Sequence, residues 1–308
     1  MADVDTFLTA VYVIVDDIVR ELPVPMHPGP APALSRSEVV TRALFAQWRR
    51  CGGERAFYRY AERHLRPLFP RLPQRSHYNR LLRRCHDVLV AVGQRLATRL
   101  DALRCAYEVL DSTGVRTRNS QRRGRGWRAG LAAKGWCSRL GYFHGRTLLT
   151  CVTPLGAITG YGLSVTTTSA QARADTFLAA RHTPHPALPE VGTAACAVYL
   201  ADSGFAGRAG WQRWAQAYAV SVLTPPLAHE RQRRWPAALR RAHAGWRQIV
   251  ETVHDGLLDT FGLDNERPHD LQGLRARLAA KVALHNLCLW LNVQWGQPPL
   301  AFADLIAW

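Results

Sequence analysis

Near residue 105 the hydrophobic period of the chain changes from helical to strand-like. Before it, Val11, Ile14, Val15 and Ile18 recur at helical spacing. After a Pro-rich loop from Pro23 to Pro32, Val39, Val40, Leu44 and Phe45 do so again, with Ser35 or Ser37 placed to cap that helix. Residues 54–64 and 78–100 read as further helices. Beyond 105, short apolar runs at 107–110, 142–152, 158–167, 197–200 and 219–223 read as strands. The turn Pro154-Leu155-Gly156 suits a hairpin between the second and third. Helical patterns occupy 170–180, capped by Ser169, then 207–217, 237–261 and 274–295. The order β-β-β-α-β-α-β-α implies an α/β domain with a mixed five-stranded sheet flanked by helices. The expected division is therefore a helical region at 1–104 and an α/β domain at 105–308.

The chain has 308 residues and a formal net charge of +17. Such an imbalance favours polyanionic partners, nucleic acid first among them. Lys134 and Lys281 are the only lysines, so a GC-rich coding composition is a competing source of the arginines. The seven cysteines are odd in number and form no CxxC pair, which supports neither a disulfide framework nor a zinc ribbon. The start Met1-Ala2-Asp3-Val4-Asp5 is acidic where a signal peptide is basic. The apolar run 7–15 is too short to span a membrane. A cytoplasmic protein without membrane attachment is expected.

Two acids stand where these strands are read to end: Asp111 after Val109-Leu110, and Asp202 after Val198-Tyr199-Leu200-Ala201. Carboxylates at the carboxyl rim of a sheet lie where open α/β folds place ligands. On neighbouring strands they would repel unless cations intervene, and Mg²⁺ takes a few carboxylates plus phosphate oxygens. A third acid is expected from the last helix of the domain. There Arg247 and Glu251 are four apart and share a face, with Asp255 one turn further as the reserve. Taken singly, a strand-end Asp also suits a turn or a cap, and an i,i+4 Arg/Glu pair also suits a surface salt bridge.

From about 105 to 292 the chain resembles the DDE transposases of bacterial insertion sequences, which have a ribonuclease-H-like fold. The resemblance rests on Leu110-Asp111-Ser112, on Leu200-Ala201-Asp202-Ser203-Gly204-Phe205, on Arg247-x-x-x-Glu251, and on Lys281-Val282-Ala283-Leu284-His285-Asn286. It implies Asp111, Asp202 and Glu251 as catalytic metal ligands for two Mg²⁺ ions (or Mn²⁺), and Arg247 as a DNA contact. It also implies phosphodiester hydrolysis, strand transfer at element ends, double-stranded DNA as partner and a homodimer. Relatives carry a Tyr three before the Arg and a Lys seven after the Glu. Here Ala244 and Leu258 stand instead. A ribonuclease-H-like endonuclease without joining activity, and an inactive DNA-binding derivative, are the alternatives.

The basic stretch 116–139, with Arg122, Arg123, Arg125, Arg128 and Lys134, reads as a loop that would clamp the DNA backbone or remain solvated. Arg80, Arg83 and Arg84, on one helix face, leave the same two readings open. His182-x-x-His185 lacks a second ligand pair for structural zinc.

Overall fold

The computed structural model describes residues 4–23, 31–49, 51, 53–100, 102–118, 132–183, 188–226, 235–263, 266 and 270–305. Five helices come first: α1 (Val4–Arg20), α2 (Arg36–Trp48), α3 (Glu54–His64), α4 (Arg75–Arg84) and α5 (His86–Arg99). Ser35, not Ser37, caps α2, in a reciprocal capping box with Glu38. The helix expected over 78–100 is two, because the chain turns at Cys85. Apolar spacing does not report such a break, since both halves keep a buried face.

The sheet comprises β1 (Glu108–Arg118), β2 (Ala133–Cys137), β3 (Gly141–Val152), β4 (Ile158–Val165), β5 (Val198–Ala201) and β6 (Ser221–Leu223). Its order is β2-β3-β1-β5-β6, with β4 also on β3. β2 pairs with β3 over 141–145 and β4 over 146–152, so the two follow one another along one edge. β3 runs antiparallel to β1, whereas β1, β5 and β6 are parallel. This is the ribonuclease-H-like arrangement, with β2 as an added strand. Two sequence expectations are corrected. β1 continues past Asp111 to Arg118, and Lys134 lies on a strand rather than in a loop. The antiparallel ladder with β3 extends both segments, and a polar stretch does not announce that pairing.

Helices α6 (Ala170–His182) and α7 (Arg208–Tyr218) cover one face, packing Phe177, Leu178 and Trp214 on Leu110, Leu149, Tyr199 and Ala201. The other face carries Val109, Leu148, Val152 and Leu200, in one core with α8 (Ala237–Asp255), α9 (Leu271–Gln294) and the N-terminal helices. α8 passes into a π-helical turn, Gly256–Thr260.

The polar residues of α9 that resemble the family motif are architectural. Lys281 Nζ donates to Gln47 Oε1 and to the Phe261 carbonyl, both at 2.6 Å. Asn286 bonds the backbone of Gly93 and both polar groups of Ile158, tying α5 and β4 to α9. His285 Nε2 lies 2.8 Å from the Gly156 carbonyl, to which it can only donate. Among the described residues no helix is long and apolar enough to cross a membrane.

Candidate active site

The β1/β5 register sets the site. Val109 pairs with Leu200 and Leu110 with Ala201. One step on, β5 ends, and the next two residues in register are Asp111 and Asp202. Val109 and Leu200 belong to the core under α8, while Leu110 and Ala201 belong to the opposite core. Strand alternation therefore turns Asp111 to the α8 side. There its Oδ2 accepts from an Arg247 guanidinium nitrogen at 3.0 Å, with both side chains about one-sixth exposed (15% and 16%). The Ser112 amide donates to Asp111 Oδ1 at 2.7 Å. Burial pushes the Asp111 carboxyl up to about 6; Arg247 opposes this and the Asp202 charge adds to it.

Asp202 caps the short 3₁₀ turn Ser203–Phe205, its Oδ1 accepting from the Gly204 amide at 2.9 Å. A Cβ at Gly204 would stand 3.0 Å from Asp202 Oδ1, so the glycine of the Asp-Ser-Gly run keeps that side approachable. Arg173, in the first turn of α6, was missed by the sequence reading. It donates to Ser112 Oγ at 3.4 Å, and burial lowers its pKa while the Asp202 charge opposes this. Its signal would have been position: it follows the Ser169 cap by one turn, at the start of the helix after β4.

Glu251 is exposed on α8, one turn beyond Arg247. Asp255, the reserve, is engaged elsewhere: Arg139 reaches it at 3.5 Å and Asp259 at 2.7 Å. Along α8, Arg247 thus faces Asp111 and Asp255 faces the β2–β3 turn, with Glu251 between them. Asp111 and Asp202 suit a hard divalent cation in donor type and in their mutual repulsion. Among the described residues, however, no three His, Cys, Asp or Glu stand close enough to hold a metal.

Of the basic candidates, Lys134 is exposed on β2. Arg122, Arg123, Arg125 and Arg128 lie outside the described residues. Arg83 forms an ion pair with Asp270 at 3.0 Å. His182 Nε2 lies 2.9 Å from the Tyr199 hydroxyl, and His185 is outside the described residues. Ala244 is exposed, and Leu258 is packed in the core.

His254, on α8, packs its Nε2 2.8 Å from Thr150 Oγ1, on the β3 residue paired with Asp111. Burial pushes both His254 and His285 down to about 4. Below the ordinary histidine value the unfolded chain takes up two protons that the folded one refuses. Asp111, raised, returns one of them to the folded side. Burial also holds His182 and His243 down, which adds to the histidine side, so between about pH 4 and 6 stability should rise with pH. Denaturant titrations across this range check it; a flat profile would contradict the burial of these histidines.

A family model described as the transposase DDE domain matches residues 109–287, more than half of the chain. No characterised protein sequence matches. Among solved structures, the Mos1 transposase paired-end complex with the left transposon end aligns over 80% of this chain and 83% of that chain, at 12% identity and a TM-score of 0.23. That likeness is too loose to carry an argument; the family match does, and the chain belongs to the transposase DDE-domain family.

Proposed function

We propose that the chain is a DNA transposase of an insertion sequence, acting as a cytoplasmic homodimer that cleaves phosphodiesters at element ends and joins them to a target. The observation that carries the reading is the in-register placement of Asp111 and Asp202 beside Arg247. Asp111, Asp202 and Glu251 would hold two Mg²⁺ or Mn²⁺ ions, with Glu251 drawn in from its exposed turn. The ions would supply activation of water or a 3′-hydroxyl and neutralise the leaving oxygen.

The remaining work falls to the chain itself. Asp111 and Asp202 concentrate negative oxygens at the point where β5 ends. Arg247 balances Asp111 and presents a planar fork that also fits a phosphate. Arg173 adds a second guanidinium from the opposite layer. Lys134 and the stretch holding Arg122, Arg123, Arg125 and Arg128 contact phosphates. Residues 1–104 recognise element ends or mediate dimerisation. The exposed Glu251, with Ala244 and Leu258, favours one second reading, a DNA-binding derivative without turnover.

Linear duplex DNA bearing the element's own ends separates these readings. Mg²⁺- or Mn²⁺-dependent cleavage followed by joining is the expected result. Cleavage without joining would indicate a nuclease. Tight binding with no cleavage in either metal would indicate the inactive derivative.

A further inference from the structure

The β2–β3 hairpin displays the two most exposed aromatic side chains in the described structure. Trp136 is 64% exposed and Tyr142 72%, and they are direct cross-strand partners. Lys134, two residues from Trp136 on the same side, sets its ammonium 4.8 Å from the Tyr142 ring centroid. The hairpin does not need this face for its own packing. Phe143, on the opposite face, is 2% exposed. It fills space left by Gly114 and Gly135, where a Cβ would meet its ring at 2.6 and 3.1 Å. Arg139, in the turn, ties the hairpin to Asp255 and Asp259 at the end of α8. Along β3, Tyr142, His144, Arg146, Leu148 and Thr150 share one face, and Thr150 is the partner of Asp111. The aromatic pair therefore stands on the sheet face that carries the candidate site, fastened to the helix that carries Arg247 and Glu251.

Charge selects the occupant. Between Asp111 and Asp175 the chain has no acidic residue and ten Lys or Arg. An acidic polymer with flat apolar faces meets both features. A duplex buries its base faces, whereas an unpaired strand offers them. We propose that this hairpin is a single-stranded DNA platform, on which Trp136 and Tyr142 stack against unpaired bases while Lys134 takes a backbone phosphate. The proposal rests on the transposase reading for its biological setting, since cutting a strand at an element end frees an end that can fray into unpaired bases. Stacking on aromatic side chains is tolerant of sequence, so no base preference is expected.

The test uses the full chain in EDTA, where cleavage is off, with a labelled 20-nucleotide thymidine oligomer and a duplex of equal length. The double variant Trp136→Ala/Tyr142→Ala should lose about tenfold or more in affinity for the oligomer. Its salt slope should be unchanged and its duplex affinity should stay within about twofold. Trp136→Phe/Tyr142→Phe should retain most of the oligomer affinity, which separates stacking from damage to the hairpin. Lys134→Ala should lower the salt slope on the oligomer by about 0.7. Unchanged oligomer affinity in the double alanine variant, equal losses on oligomer and duplex, or no oligomer binding by the wild type would each overturn the platform. A wild type that joins element ends in Mg²⁺ while the alanine variant keeps its oligomer affinity refutes the platform alone. One that binds the oligomer but neither cuts nor joins refutes the transposase reading alone.

Discussion

Asp111→Asn is expected to lower DNA cleavage and joining by at least about 10³-fold while leaving fold and DNA affinity nearly intact. A metal ligand supplies several kcal/mol of transition-state charge stabilisation, and each 1.36 kcal/mol is a factor of ten in rate. The amide keeps the shape and can still accept from the Ser112 amide, a bond of 2.7 Å in the native chain. It loses the charge that faces Asp202 and Arg247. Removing the charge relieves the burial that pushes this carboxyl up to about 6, so the substitution should not destabilise the sheet. Arg247 gives up its ion pair but keeps about one-sixth of its side chain exposed, enough for water to reach it. Rates on duplex element ends, a thermal melt and a gel-shift titration make the comparison. Wild-type rates in this variant would remove Asp111 from the mechanism; a collapsed melt would make it a folding residue instead.

The second large effect lies three residues upstream. Glu108 on β1 and Arg181 on α6 form an ion pair at 2.7 Å, and both side chains are 0% exposed. Thr159 donates to the same carboxylate, and Arg181 also donates to the carbonyls of Val191 and Thr159. The cluster joins β1, β4 and α6, and so sets where Asp111 and Arg173 stand relative to each other. Arg181→Met leaves a carboxylate in the core with no countercharge, which costs about 3–5 kcal/mol. In a chain of this size that is a fall in Tm of about 5–8 °C. The double variant Glu108→Leu/Arg181→Met removes both charges and should recover much of the loss, because paired buried charges contribute little beyond an apolar replacement. Equal destabilisation in the single and double variants would show that the other hydrogen bonds of Arg181, rather than the ion pair, hold the cluster.

What could be read from the amino acids alone follows from local physics. Side-chain period names a helix or a strand within a few residues, so the apolar stripe of α1, the Ser169 cap and the 154–156 turn were legible, and the α2 cap was legible down to Ser35 or Ser37. Asp202 ending β5 was legible for the same reason. The positions that make a site depend on contacts between residues far apart in the chain, which no local pattern encodes. Asp111 looked like a strand end because the apolar run stops there; in the structure β1 continues to Arg118, and it is the partner strand β5 that ends. The pairing of Arg247 with Asp111 spans 136 positions, and the diversion of Asp255 to Arg139 requires the β2–β3 turn to reach the end of α8. Arg173 reaches the site only because α6 packs on the sheet face opposite α8. Local period chose the elements; strand register and helix packing, which are set by burying both faces of one sheet at once, decided which charges meet.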